Sequence, residues 1–307
     1  MRVSGGKSGV WVGWSCGGFR GYGDAVTETS FTAGPIAGWE TGDGPAVLFL
    51  HGGPGMNDYG RMLGPEVAGW RFLSFQQRGL SPSATEGPFT LEQHVADATA
   101  VLDARGVRQA IVMGHSFGGH LALHMAVSQP DRVAALVLVD GLGVIGDGGA
   151  ADVGAALAAR LLPEAAGRLQ QIGAALGDAE PDDAIATEQL RLVWPGYFAD
   201  PGNAPAPGDL RVCVAAHQGT VASVAEHLAA GFASRLSAIS APVISVLGEL
   251  SPMPVSQGEQ TAALIPGAQV RVIQGAGHLP WHEQPGCIGE ALVSVQDRID
   301  TADVAAG

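Results

Sequence analysis

Short, uninterrupted runs of mainly apolar residues constrain this chain more than any other feature of its sequence. Turn residues bound each run, and helical spacing follows several of them, as between Thr90 and Arg105 or between Ser116 and Gln129. The clearest runs are Ala46–Leu50, Arg71–Phe75, Ala110–Met113, Ala135–Val139 and Val243–Leu247, with a weaker one at Gln269–Ile273. Such runs are typical of strands buried on both faces. Their alternation with helices predicts an α/β fold with a doubly wound, mostly parallel sheet.

The alternation is interrupted once, between residues 141 and 241. This stretch is rich in alanine and contains helix-like pieces at Val153–Leu162 and Ala215–Phe232. We interpret residues 141–241 as a helical insertion into a core formed by residues 25–140 and 242–307. Residues 1–24 are rich in glycine and show no periodicity, which is typical of a flexible N-terminal extension.

Composition restricts the partners. The chain has 307 residues, of which 46% are apolar and 15% charged, so it can bury a sizeable core. Its net charge of −14 argues against nucleic acid or an anionic membrane as the main partner. We expect a small-molecule substrate and no nucleic-acid or membrane partner, with the oligomeric state left open. No apolar run reaches the ~18 residues of a transmembrane helix. The three cysteines lie far apart and form no CxxC pair, which favours a reduced, cytoplasmic setting.

The strongest chemical motif is Gly114-His115-Ser116-Phe117-Gly118, which follows one predicted strand and opens the next helix. This is G-x-S-x-G in the strand–turn–helix context that places a nucleophilic serine. The turn is tight enough to force Ser116 into a strained backbone conformation, and the flanking glycines let strand and helix approach closely. The hydroxyl is then held at the carboxyl end of the sheet, where open α/β sheets bind ligands.

A Gly-rich loop with the sequence HGGPG, His51–Gly55, directly follows the run Ala46–Leu50. This loop can place the backbone amide of Gly53 opposite that of Phe117, and two such donors form an oxyanion hole for a tetrahedral intermediate. We interpret His51 as a residue that fixes the loop and not as a catalyst.

A nucleophilic serine needs a base, and His278 is the candidate because it follows Gly277 just after the last predicted strand. The chain has nine histidines, several of which lie within helical patterns. His282 lies four residues beyond His278, a spacing that suits a metal, yet no third ligand follows at a matching distance. We therefore expect neither a metal nor a cofactor.

Together these motifs resemble the α/β-hydrolase superfamily, and within it the proline iminopeptidase-related branch. The resemblance rests on HGGPG at His51–Gly55, QQRG at Gln76–Gly79, GHSFGG at Gly114–Gly119 and the pair Gly277-His278. It covers roughly residues 26–300 and implies that the helical insertion is the cap domain of this superfamily. Proline iminopeptidases carry Asp-Gln-Arg-Gly-x-Gly-x-Ser, whereas Gln76 and Ser81 replace the Asp and the second Gly here. This departure weakens an aminopeptidase assignment.

The resemblance also implies a triad acid three residues after Gly248, and that position holds Ser251. A hydroxyl cannot stabilise an imidazolium as a carboxylate does. Superfamily members that resemble haloalkane dehalogenases take the acid from the strand end where Asp140 lies, which makes Asp140 the preferred candidate. Glu249 is the second candidate, and the absence of any functional acid is the third alternative.

The insertion contains an aromatic cluster of Trp194, Tyr197 and Phe198 in a chain with only 6% aromatic residues. This cluster forms either a wall of the substrate pocket or the packed core of the cap, and an apolar lid favours a small, uncharged or aromatic substrate. The motifs predict a serine hydrolase that cleaves an ester, amide, thioester or lactone through an acyl-enzyme. A non-hydrolytic binding or biosynthetic tailoring protein with a degenerate triad, or a proline iminopeptidase-like aminopeptidase, is the alternative.

Overall fold

The computed structural model describes residues 27–306, and within them one eight-stranded sheet forms the centre of the molecule. The strands are β1 Thr29–Ala33, β2 Ile36–Thr41, β3 Ala46–Leu50, β4 Arg71–Phe75, β5 Ala110–His115, β6 Val133–Val139, β7 Val243–Gly248 and β8 Gln269–Ile273. Their order is β1-β2-β4-β3-β5-β6-β7-β8, and only β2 runs against the other described strands. The predicted α/β fold is confirmed. The predicted N-terminal extension, residues 1–24, lies outside the described residues.

Helices follow the parallel strands as the periodicity predicts. They are α1 Leu91–Ala104, α2 Phe117–Ser128, α3 Ala150–Ala159, α4 Pro163–Leu176, α5 Asp183–Val193, α6 Val214–Ala229, α7 Val255–Ala263, α8 Pro280–Glu283 and α9 Cys287–Ala306. Helix α1 begins after Thr90, whose side chain accepts the N–H of Gln93, and it ends at Arg105 before Gly106. In residues 27–306 no helix combines the length and the apolar character needed to cross a bilayer.

Two layers of apolar side chains cover the two faces of the sheet. On one face, α1 and α2 pack residues such as Leu102 and Leu121 against β3 and β5. On the other face, α9 and the 3₁₀ segment Gly60–Val67 pack residues such as Ile288 and Leu63. Burial on both faces explains why the inner strands have continuous apolar sequences.

The segment between β6 and β7 contains α3, α4, α5 and α6, where the sequence analysis expects a helical insertion. Helices α4 and α5 are largely exposed: in α4 only Ala165 and Ile172 are buried. Helix α5 begins at Asp182, whose carboxylate accepts the N–H of Ile185 at 2.9 Å. The insertion joins the core beside the HGGPG loop, where Met56 pairs with Val212 in an isolated bridge.

Three histidines on α1 and α2 have buried side chains that make the folded state sensitive to acid. Burial lowers the pKa of His94 to about 3, of His120 to about 4 and of His124 to about 2, from an ordinary value of 6.5. The unfolded chain therefore takes up protons near pH 6.5, while the folded chain keeps these rings neutral. Their depressed pKa values leave stability complete above pH 6.5 and reduce it as the pH falls toward the folded values.

We expect the free energy of unfolding to fall by about 2 kcal/mol per buried histidine between about pH 6.5 and 5, because each pH unit is worth about 1.4 kcal/mol per proton. Urea unfolding across this range measures the slope. His124→Leu, which replaces a ring stacked on Phe232 at 3.6 Å, should flatten the slope by about one proton. His94→Leu should flatten the slope by the same amount, and the double variant should flatten it by about two protons. An unchanged slope in all three variants contradicts the prediction.

Candidate active site

Ser116 lies in a sharp turn between β5 and α2. Its backbone has φ 56° and ψ −123°, a conformation that costs a residue other than glycine roughly 1–3 kcal/mol. The Ser116 N–H donates to the carbonyl oxygen of Val139 at 2.9 Å, and the Ser116 carbonyl accepts from the amides of Gly119 and Leu142. These bonds fasten the turn to β6 and to the first turn of α2. The strained turn predicted from G-x-S-x-G is present.

The amides of Gly53 and Phe117, which the sequence nominates as an oxyanion hole, are available to a ligand. Among residues 27–306 neither amide has a hydrogen-bond acceptor. Phe117 is the first residue of α2, and a helix N-terminus favours negative charge. Gly53 has φ 62°, a conformation suited to glycine. Both residues line a cavity together with Ser116.

Neighbouring side chains from the QQRG segment fix the loop that carries Gly53. The buried His51 accepts the backbone N–H of Gln77 at 3.3 Å, and the Gln77 side-chain amide donates to the His51 carbonyl at 2.8 Å. Gln76 donates to the carbonyl oxygen of Met56 at 3.1 Å. The predicted role of His51 in fixing the loop agrees with these contacts. They also give Gln76 a structural role at the position where proline iminopeptidases carry Asp.

His278 lies in the turn between β8 and α8, and only 4% of its surface is exposed. Its backbone N–H donates to the carbonyl oxygen of Tyr197 at 2.7 Å, and the Tyr197 ring stacks on the imidazole at 5.2 Å between centroids. Burial lowers the pKa of His278 well below its usual range, so the ring is neutral and free to accept a proton. Ser116 and His278 line the same cavity, which has a volume of about 60 Å³.

Asp140 and Glu249, the two candidates for the triad acid, lie in different environments. Asp140 is 1% exposed at the end of β6, and its carboxylate accepts the N–H of Gly248 with both oxygens at 3.1–3.2 Å. Ser251 is the hydrogen-bonding neighbour of the imidazole, with its Oγ 3.1 Å from His278 Nδ1. Glu249 is exposed and accepts the Gly275 N–H at 2.9 Å. No described contact joins the Asp140 or Glu249 carboxylate directly to the imidazole.

The charge on Asp140 is poorly solvated. Burial raises the pKa of Asp140 well above its usual range, and repulsion from Glu283 adds to the rise. The Gly248 amide and the Ser251 hydroxyl oppose it, since both stabilise the charged carboxylate as hydrogen-bonding neighbours.

A chain of hydrogen bonds joins three segments: the loop His51–Gly55, called the oxyanion loop after its predicted role, the turn at Ser116 and the turn at His278. The Gly52 N–H donates to the Tyr59 hydroxyl at 2.6 Å, and that hydroxyl lies 2.5 Å from His115 Nδ1. His115 Nε2 lies 2.8 Å from the carbonyl oxygen of His278. A carbonyl can only accept, so Nε2 carries the proton and Nδ1 accepts from Tyr59. The sequence motifs included His115 only as a spacer and did not point to Tyr59 at all.

The aromatic cluster divides between the cavity and the cap core. Tyr197 and Trp194 line the cavity next to Ser116, and the Trp194 Nε1–H donates to the carbonyl of Pro205 at 2.8 Å. Phe198 is 2% exposed and packs edge-on against Trp194, with its ring also near His282 at 5.6 Å. Trp194 and Tyr197 thus border the cavity and Phe198 belongs to the packed core, while the role of the cavity as a substrate pocket stays a prediction. In the part of the chain that the structure describes, no three His, Cys, Asp or Glu side chains come together as metal ligands.

Two larger cavities border the Gly53 loop and share Gly53, Pro54, Tyr197 and His217. We call the first, of about 650 Å³, the aliphatic chamber; its apolar wall includes Leu142, Val153, Val224, Leu228 and Met253. We call the second, of about 480 Å³, the polar chamber, because its mainly apolar wall also includes Glu180, Gln189 and Gln218. Tyr197 borders both chambers, and Ser116 borders the aliphatic one.

Comparison with known proteins decides the family. Residues 45–285 match the family described as alpha/beta hydrolase fold. The chain belongs to this α/β hydrolase family. The match includes the loop after β3, the serine turn and the histidine turn, and so it covers every segment that borders the small cavity beneath the cap.

Relatives of this α/β hydrolase share shorter stretches with it. A lipase, LipV from Mycobacterium tuberculosis, is 38% identical over 101 residues, which are 32% of this chain and 38% of the lipase. Proline iminopeptidase PfmaB from Pestalotiopsis fici is 37% identical over 101 residues, which are 31% of this chain and 36% of that protein. The aligned stretches thus span less than two fifths of these relatives.

Solved structures extend the similarity to nearly the whole fold. A 2-hydroxy-6-oxo-6-phenylhexa-2,4-dienoate hydrolase from a Rhodococcus species superposes with a TM-score of 0.63 and 19% sequence identity. The superposition covers 89% of this chain and 99% of that one. At this identity the likeness concerns the fold.

Proposed function

We propose that this α/β hydrolase is a serine hydrolase that cleaves an ester, amide, thioester or lactone of a small, largely apolar substrate. The observation that carries the proposal is the strained Ser116, which borders one cavity with the neutral His278 and a second with two amides that lack acceptors. A nucleophile, a base and an oxyanion site, placed around two cavities that share Ser116 and Gly53, are the parts that acyl transfer requires.

In this mechanism the Ser116 Oγ attacks the carbonyl carbon of the substrate while His278 Nε2 takes its proton. The negative oxygen of the tetrahedral intermediate accepts hydrogen bonds from the amides of Gly53 and Phe117. The intermediate collapses when His278 returns the proton to the leaving group. Water then attacks the acyl carbon and gives a proton to His278, which passes that proton to Ser116 Oγ as the carboxylic acid leaves.

The two chambers support a substrate with unlike ends. The wall of the aliphatic chamber is mainly hydrocarbon and is continuous with Ser116, so it suits an apolar acyl group. The polar chamber borders the oxyanion loop from the side of α5 and α6 and offers amide and carboxylate groups. We assign the acyl side of the scissile bond to the aliphatic chamber and the leaving-group side to the polar chamber.

A fluorophosphonate probe tests the serine chemistry directly. The intact protein should gain the mass of one adduct, and peptide mapping should locate that adduct on Ser116. A protein that resists the probe and hydrolyses no member of a p-nitrophenyl ester panel is a non-hydrolytic member of the fold. Faster cleavage of prolyl-β-naphthylamide than of any ester would instead favour the aminopeptidase alternative.

Chain-length dependence tests the chamber assignment. Ala225 is exposed on the face of α6 that lines the aliphatic chamber, so Ala225→Phe should fill part of that volume. We expect it to lower kcat/KM for octanoyl and longer p-nitrophenyl esters by about tenfold or more and to spare the acetyl ester. Ala222→Phe is the matched control, because Ala222 is exposed on the same helix and lies outside the chamber wall. Equal effects on short and long esters contradict the assignment.

A further inference from the structure

The loop that carries Gly53 pairs with a segment of the helical insertion. Residues 55–57, which come soon after Gly53, run antiparallel to residues 211–213, which precede α6, and Met56 and Val212 form the bridge between them. We call this pair of segments the ribbon. The Met56 N–H also donates to the Gly53 carbonyl oxygen at 2.8 Å. The ribbon therefore joins the insertion to the core directly beside a predicted oxyanion donor.

Three hydrogen bonds join the two segments of the ribbon. The Cys213 N–H donates to the Gly55 carbonyl oxygen at 2.8 Å, and the Asn57 N–H donates to the Arg211 carbonyl oxygen at 3.3 Å. The Arg211 N–H donates to Asn57 Oδ1 at 2.7 Å. A backbone N–H can only donate, so the Asn57 side chain serves here as an acceptor. This third bond is the one of the three that a side-chain substitution removes.

The insertion also lies in close contact with the loop at Gly55 and Pro54. Gly55 is buried with φ 80°, and a Cβ there would lie 2.5 Å from the carbonyl oxygen of Cys213. The Nδ1–H of His217 donates to the Pro54 carbonyl oxygen at 3.1 Å. Residues 54–57 are thus held by the insertion over their whole length.

The other parts of the predicted oxyanion hole are held by the core. The Gly52 N–H donates to the hydroxyl of Tyr59 at 2.6 Å, and Phe117 is the first residue of α2, which packs against the sheet. Gly53 therefore lies between a core contact on one side and the ribbon on the other. The orientation of the Gly53 amide depends on the insertion, whereas that of the Phe117 amide does not.

We propose that Asn57 is a positioning residue that fixes the Gly53 amide by tying the oxyanion loop to the insertion. The inference rests on the proposed serine hydrolase function. When Ser116 Oγ bonds to the substrate carbon, the electron pair of the carbonyl double bond moves onto its oxygen, which accepts from Gly53 and Phe117. A displaced amide weakens this interaction in the transition state more than it weakens substrate binding. Asn57 is not among the described residues that line the three cavities.

Substitution of Asn57 tests the inference. Asn57→Ala removes the acceptor of the Arg211 N–H and should lower kcat for p-nitrophenyl esters about tenfold with little change in KM. Asn57→Asp keeps an oxygen at the same place and should stay within about threefold of wild type. If Asn57→Ala does not fold, Asn57→Ser takes its place, because its hydroxyl is too short to reach the Arg211 N–H.

A trifluoromethyl ketone measures the oxyanion site without turnover. Ser116 Oγ adds to its carbonyl carbon, the hydroxyl proton moves to His278, and the carbonyl oxygen becomes the negative oxygen of a hemiketal that mimics the tetrahedral intermediate. In Asn57→Ala the inhibition constant Ki should rise by the same factor by which kcat falls. A residue that only supports the fold would leave the Ki of the folded protein unchanged.

Two further variants separate positioning of the loop from a general loosening of the insertion. Gly55→Ala places a Cβ against the Cys213 carbonyl, so it should displace the ribbon, lower kcat by about 10²-fold and raise Ki in parallel. Ser223→Ala is the matched control, because the buried Ser223 hydroxyl accepts the Leu91 N–H at 3.1 Å and joins the insertion to the core at α1. It should lower the urea midpoint of unfolding and leave kcat, KM and Ki at their wild-type values.

Several results would overturn the role of Asn57. These are a wild-type kcat and Ki in Asn57→Ala, a change in KM alone, or a loss in Asn57→Asp as large as that in Asn57→Ala. Equal kinetic losses in Ser223→Ala would overturn it as well, since any weakened contact with the insertion would then slow the reaction. The proposed function fails differently: the wild-type protein then neither reacts with a fluorophosphonate nor hydrolyses an ester.

Discussion

Ser116→Ala is expected to lower kcat/KM for the best p-nitrophenyl ester by about 10⁴–10⁶-fold, because the oxyanion amides and the binding chambers remain but no nucleophile does. KM should change little, since the removed hydroxyl faces the reacting carbonyl and not the rest of the substrate. The same substitution should abolish the fluorophosphonate adduct. Steady-state kinetics and intact-protein mass measure the two effects independently.

The free energy of unfolding of variants at Ser116 supplies a second measurement. Ser116 has φ 56°, which any L-residue adopts under strain, so alanine should leave the free energy of unfolding almost unchanged. Ser116→Gly should raise it by about 1 kcal/mol, since glycine adopts this conformation freely. Ser240→Ala, at an exposed serine in the loop before β7, is the control and should match wild type in rate and labelling. If Ser116→Ala kept the wild-type activity, Ser116 could not be the nucleophile.

The sheet could be predicted from the sequence because burial on both faces leaves an unambiguous signal. The runs at Ala46–Leu50 and Arg71–Phe75 coincide with β3 and β4, and the run at Gln269–Ile273 coincides with β8. The G-x-S-x-G turn could also be predicted, because few residue patterns are compatible with a strand, a tight turn and a helix in succession. Helices α4 and α5 were not resolved individually: α4 has only two fully buried residues and α5 has none, so neither contains an apolar run as clear as those of the strands.

The electrostatic part of the candidate site could not be predicted in the same way. Ser251 occupies the position expected of an acid, and sequence alone gives no distance from it to Asp140 or to His278. Only the packing of β6 beside β7 brings Ser251 within hydrogen-bonding distance of the imidazole and beside the carboxylate. The hydrogen bond of Tyr59 could not be predicted for a similar reason, since its partner His115 lies 56 residues away along the chain.

Gly118→Ala is expected to destabilise the fold by about 3–5 kcal/mol. A Cβ on Gly118 would overlap the carbonyl group of Leu50 and approach the carbonyl oxygen of His51. Both obstacles are backbone atoms at the carboxyl end of β3, so no side-chain rotation relieves the overlap. Urea unfolding followed by circular dichroism measures the loss.

Gly173→Ala is the matched control, because Gly173 is an exposed residue of α4 and a Cβ there meets no atom within 4 Å. It should raise the free energy of unfolding by about 0.5–1 kcal/mol, since alanine loses less backbone entropy in a helix. The folded fraction of Gly118→Ala should also hydrolyse esters slowly: the displaced strand end carries His51 and leads directly into the Gly53 amide. If Gly118→Ala were as stable as Gly173→Ala, helix α2 would be able to move away from β3. The contact at Gly118 would then not fix the distance between Ser116 and the loop that carries Gly53.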